Sequence, residues 1–123
     1  MTTEVGSARR RKEDRRLLTG RTRWTDNLQL PGMLHLSMVR SPHAHARITA
    51  IDTTAAKAAD GVVAVLTGAD VKDSQGSLPC AWPITPDQVT PDHLPMVGER
   101  VACAGEIVAV VAARSAAEAR DAA

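Results

Sequence analysis

Residues 107–112, IVAVVA, are an almost unbroken apolar run. A run of this length bounded by polar residues reads as a strand covered on both faces. It predicts the central strand of a small sheet. The rest of the chain has little apolar bulk to build around it, since its 123 residues contain no Phe or Tyr and only two aromatics, Trp24 and Trp82. Much of the remaining apolar content is alanine, which removes little area from water. One domain with one core is expected, burying about two thirds of the surface of the unfolded chain. So thin a core points to support from outside the chain.

Upstream of the run, residues 33–40 alternate, with Leu34, Leu36 and Met38 on one face and His35, Ser37 and Val39 on the other. This predicts a half-buried strand with the leucine face turned inward, broken by Ser41 and Pro42. Residues 47–51 read as a second strand. Asp52 is placed to cap a helix over residues 53–59, closed by Gly61, and the β-branched stretch 62–66 returns as a strand. Thr67 and Asp70 have capping-box spacing for a further turn, and residues 100–104 read as a strand. Ser115 and Glu118 form an S/T-x-x-E capping box for a last helix, AAEARDAA. With no Gly, Asn or Pro after it, that helix is expected to be cut short at Ala123, because isolated helices below about twelve residues are marginal. The order of elements is compact α+β architecture.

Two segments lie outside this pattern. Residues 1–23 form a polar, mobile basic arm carrying Arg9, Arg10, Arg11, Lys12, Arg15 and Arg16, interleaved with Glu13 and Asp14. Residues 72–95 lose all periodicity among prolines at 79, 83, 86, 91 and 95, and loops this long are usually functional or docked. Trp82 within that loop is a candidate anchor for a partner surface.

The net charge of +1 argues against a nucleic-acid binder, and the arm lacks the aromatic platforms on which single strands stack. Cys80 and Cys103 stand apart without CxxC pairing, which suggests neither a zinc site nor a disulfide framework. There is no apolar run of about eighteen residues, so no membrane span is expected. The basic start is not followed by the apolar stretch of a secretion signal. A reducing cytoplasm is the expected location.

Candidate chemistry is sparse. GxSxG, GxGxxG and phosphate-loop patterns are absent. His43 and His45 could begin a metal site with His35 and Asp52 as helpers, but no cysteine lies nearby, and a hydrogen-bonded loop or interface role is the simpler reading. Glu99 and Glu106 each follow a glycine at the edge of an apolar segment. Either could act as a base, but a carboxylate satisfied by backbone amides or by Arg100 needs no catalytic explanation. Cys103 reads as a small core hydrophobe, and Cys80 as a loop residue. No catalytic, cofactor-binding or metal residue is assigned.

Several blocks occur in order along nearly the whole chain: RKEDRRLLTG, LPGMLHLSMVRSPHAHARI, ID, GVVAVLTGAD, LPMVGERVACAGEIVAVVAA and AAEARDAA. Together they resemble the α/β hammerhead domain that opens the large subunit of molybdenum hydroxylases, the family of xanthine dehydrogenase, aldehyde oxidase and aerobic carbon monoxide dehydrogenase. The spacing from LPGML to RSPHAHARI is the most specific part. The chain departs from the pattern at GRTRWTDN, where relatives are richer in glycine, and at Ile107, where they usually carry proline.

The resemblance implies a hammerhead domain over residues 24–123, with a small mixed sheet and short helices. It also implies a parent oxidoreductase that binds molybdenum as a molybdopterin cytosine dinucleotide, with iron-sulfur clusters and FAD on partner subunits. The partners implied are the remainder of the large subunit, the iron-sulfur subunit and the flavin subunit. The family's catalytic glutamate lies in later domains, so neither Glu99 nor Glu106 inherits it. The chain is then a scaffold and interface domain. The alternatives are a free-standing interaction or assembly module using the arm and the proline-rich loop, and, third, a nucleic-acid binder using residues 9–16.

Overall fold

The structure is a computed structural model that describes residues 5–79, 82 and 84–123. In chain order it forms α1 (Asp14–Leu18), a 3-10 turn (Thr25–Asn27), β1 (His35–Arg40), β2 (Ala46–Arg47), α2 (Thr54–Ala58), β3 (Val62–Thr67), β4 (Arg100–Val101), β5 (Ile107–Ala113) and α3 (Ala116–Asp121). One compact unit ends at Pro31, and the second runs Gly32–Ala123.

In the first unit the basic stretch is not featureless. The Asp14 carboxylate accepts from the Arg11 amide at 3.0 Å and starts α1, and the Thr19 hydroxyl donates to the Arg15 carbonyl at 2.7 Å where it ends. The Trp24 amide donates to Asn27 Oδ1 at 3.2 Å across the 3-10 turn. Neither helical segment buries a residue.

The second unit is organised by β5, the middle strand of a three-stranded sheet ordered β1-β5-β3. Both of its ladders are antiparallel, and a parallel bridge joins Met96 to Ile107. β2 and β4 form a separate two-stranded ladder. Both are shorter than the patterns at 47–51 and 100–104 predict: the ladder ends after two residue pairs, and the Ile48 amide then donates to the Glu99 carbonyl.

Two expectations about faces are corrected. β5 is buried on one side only: Ala109, Val111 and Ala113 are inside, whereas Val108, Val110 and Ala112 are half-buried. The inward face of β1 is the one predicted to point outward. His35, Ser37 and Val39 pair with Ala113, Val111 and Ala109, while Leu36 is 64% exposed and Met38 49%. The cause is helix packing. α3 lies against β1 and β5 and buries Ala119, and a helix approaches a sheet most closely where the sheet offers small side chains. Ala109 and Ala113 provide that surface, and the period of two carries the choice along β1.

The capping expectations correspond to real hydrogen bonds. The Ser115 hydroxyl accepts from the Glu118 amide at 3.2 Å and donates to Glu118 Oε2 at 2.9 Å. Ser115→Ala should therefore lower stability by about 1 kcal/mol, read as a lower urea midpoint. Asp52 Oδ1 accepts from the Thr54 amide at 2.9 Å and starts α2. Gly61, at φ +76°, follows α2, and its carbonyl accepts from the Arg114 amide, tying the start of β3 to the end of β5.

Asp70 Oδ2 accepts from both the amide and the hydroxyl of Thr67, each at 2.7 Å. Hydrogen bonds from Thr67 to Asp70, and from Thr54 to Asp52, hold both carboxyls below their ordinary value of 3.8. A depressed folded-state pKa stabilises fully above the unfolded value and is lost as pH falls through the folded one. Acid titration should thus show stability declining only below about pH 4. Asp70→Asn should flatten part of that decline in pH-dependent thermal melts.

A candidate functional cleft beside the proline-rich loop

Residues 72–95 contain no helix or strand among those described, but the segment is tied at its neck. The Gln75 side-chain amide donates to the Met96 carbonyl at 2.8 Å and accepts from the Met96 amide at 3.1 Å. The Leu78 amide donates to the His93 carbonyl at 2.8 Å, and the His93 amide to Ser77 Oγ at 2.9 Å. At the far end of the loop Trp82, Ile84 and Val89 are exposed. Cys80 lies outside the described residues.

The neck borders a cleft of about 910 Å³ that runs past Gly68 and Gly98. Of the residues singled out in the sequence, His45, Glu99 and Glu106 line it, together with Arg100, and His43 does not. The two histidines therefore do not face a common ligand position. The Ser41 hydroxyl accepts from the His43 amide at 3.1 Å, which sets the course of the loop after β1.

Glu106 has a structural occupation. Its Oε2 accepts from the Ala102 amide at 2.6 Å and the Cys103 amide at 3.5 Å, closing the turn between β4 and β5. Partial removal from water, and then the neighbouring Glu106 carboxylate, raise the Cys103 thiol above its ordinary value. The sequence reading of Cys103 as a core residue is corrected: it is exposed, because the turn that Glu106 closes lifts it off the sheet. Glu99 is also exposed.

Among the described residues no three His, Cys, Asp or Glu side chains converge to hold a metal ion. No helix among the described residues is long and apolar enough to cross a membrane.

Sequence reasoning missed the close approach at Gly68 and the neck formed by Gln75. The only local sign was a glycine at the end of a strand; the partner strand segment is almost thirty residues away.

Residues 19–123 match the family described as aldehyde oxidase and xanthine dehydrogenase, a/b hammerhead domain. The chain belongs to this family. Over 68 residues the hammerhead domain is 54% identical to the carbon monoxide dehydrogenase large chain of Afipia carboxidovorans, covering 55% of this chain and 8% of that protein. Over 119 residues it is 39% identical to the nicotine 6-hydroxylase large subunit of Paenarthrobacter nicotinovorans, covering 96% of this chain and 14% of that one. Among solved structures, quinoline 2-oxidoreductase from Pseudomonas putida 86 superposes with a TM-score of 0.84 at 44% identity, covering 95% of this chain and 15% of that one. The chain thus corresponds to one hammerhead domain of a molybdenum-hydroxylase large subunit and spans less than a sixth of these relatives' lengths.

Proposed function

We propose that this chain serves as the scaffold and interface domain of the large subunit of a cytoplasmic molybdenum hydroxylase, of the carbon monoxide dehydrogenase or xanthine dehydrogenase type. Residues 1–23 act as a basic docking arm, and residues 24–123 as the hammerhead proper. The observation that carries this reading is a family match across residues 19–123 in a chain equal to only 14% of a full-length relative's large subunit. The site chemistry supports it, since the Glu106 carboxylate is committed to backbone amides.

In this reading the remainder of the large subunit holds molybdenum as a molybdopterin cytosine dinucleotide, which supplies the oxidation chemistry. Iron-sulfur and flavin subunits take the electrons away. The contribution of this chain is shape and contact surface. Elemental and flavin analysis of the purified chain tests the assignment: less than a tenth of an equivalent of molybdenum, iron or flavin is expected, as an order-of-magnitude bound for a domain without a ligand set. Stoichiometric molybdenum or flavin on the isolated chain would overturn it.

A further inference from the structure

Within the unit Gly32–Ala123, among the described residues, the outer face of the β1-β5-β3 sheet is left exposed. Leu36 and Met38 of β1, Val110 and Ala112 of β5, and Ala64 and Leu66 of β3 stand side by side on it, since Leu36 pairs with Ala112, Met38 with Val110, Leu66 with Val110 and Ala64 with Ala112. Leu36, Met38 and Leu66 are exposed, and the other three are half-buried. The patch contains no polar residue. Arg40 follows Met38 along the same face of β1 and bounds the patch there, with Nη1 donating to the Gly105 carbonyl at 2.7 Å and Nη2 lying 3.5 Å from Met38 Sδ. A continuous apolar patch with a polar rim marks an interaction surface.

Its size discriminates between occupants. Three strands about 4.8 Å apart, each about 20 Å long, present a footprint of roughly 300 Å². A stable complex between separate chains buries about 800 Å² on each partner, so a second copy docked on this face alone would be held weakly. A contact of this size is sufficient when the occupant is tethered, because covalent linkage supplies a high effective concentration and removes most of the association cost. The relatives are at least six times longer than this chain, so a tethered occupant has ample length from which to come.

From this we infer that the outer sheet face is the seat for an apolar surface of the remainder of the same large-subunit polypeptide. The inference rests on the proposed function. It assigns to Leu36, Met38 and Leu66 the role of internal docking anchors.

The test is alkylation by iodoacetamide in a background with Cys80→Ser and Cys103→Ser. Leu36→Cys and Leu66→Cys are compared in the 123-residue chain and in the assembled large subunit. Both thiols should label readily in the isolated chain and roughly tenfold or more slowly in the subunit, where access requires local opening. Lys57→Cys on α2 should label at similar rates in both.

Unchanged labelling of Leu36→Cys in the subunit overturns the inference and leaves the scaffold reading standing. Equal protection at Lys57→Cys also overturns it, because the covering would then not belong to this face. Protection in the isolated chain that rises with concentration overturns it in favour of a second copy. An immunoblot of the native cells tests the underlying reading separately: a band only near 13.0 kDa removes the large subunit itself.

Discussion

Val111→Asp leaves the hammerhead domain unfolded at room temperature, with its far-UV circular dichroism collapsed to that of a disordered chain. Val111 is 1% exposed on the middle strand, where it pairs with Ser37 on one side and Val65 on the other. An ionised carboxylate there meets no cation among the paired residues, and the Ser37 hydroxyl is the one side-chain donor they offer. Leaving a buried charge uncompensated costs about 3–5 kcal/mol, against a total stability of about 5–15 kcal/mol for an ordinary domain. A core without Phe or Tyr places this chain at the lower end of that range. Val111→Ala calibrates the effect: it removes two methyl groups without adding a charge and should cost about 2 kcal/mol, measured as a shift in urea midpoint at constant slope. A Val111→Asp protein that melts cooperatively near the parent temperature would mean that the buried face has been misassigned.

Gly68→Ala is the second large effect, and it acts through backbone. A Cβ at Gly68 would overlap the Val97 carbonyl oxygen and lie 2.5 Å from the Val97 carbon and 2.7 Å from the Gly98 nitrogen. These atoms cannot turn aside as a side chain would. Residues 96–98 are in turn held to β5 by the Met96 bridge and by the Val97 amide, which donates to the Ile107 carbonyl at 2.9 Å. Room for the methyl therefore requires the end of β3 to separate from this segment.

The expected cost is about 3 kcal/mol, the upper part of the range for overpacking. For a domain of this size that lowers the melting temperature by roughly 10 °C or more. Two controls separate the steric account from a general aversion to replacing glycine. Gly98→Ala meets nothing closer than 3.4 Å, and Gly76→Ala meets nothing within 4 Å, so both should fall within about 0.5 kcal/mol of the parent. Because Gly68 and Gly98 both line the cleft, Gly68→Ala should also loosen the loop neck. Faster proteolysis within residues 72–95 would register that change.

How much of this was legible in the sequence depends on the range of the interaction. The apolar run at 107–112 lies on the middle strand, and the caps at Asp52, Thr67–Asp70 and Ser115–Glu118 are hydrogen-bonded. Each is a matter of two to six consecutive residues, where side-chain type and spacing nearly determine the geometry. The hammerhead family was legible too, because its blocks occur in order at fixed intervals. The site was less so: Glu106 was one of two equivalent carboxylates until the turn brought the Ala102 amide to its Oε2, and the loop at 72–95 had no pattern from which the Gln75 and Met96 neck could be read.

By itself, then, the sequence determined roughly where the strands and the helices α2 and α3 lie, though not α1, and it determined which strand is central and which family the chain belongs to. The tertiary structure alone decided which side of that sheet is inside. The alternation of β1 offers two faces, and hydropathy favours Leu34, Leu36 and Met38 as the buried one. Burial is a contest between packing partners, however, and α3 packs on the face that carries Ala109 and Ala113. The face packed against the helix becomes the inner one and the leucine face turns outward, where Leu36 and Met38 are exposed.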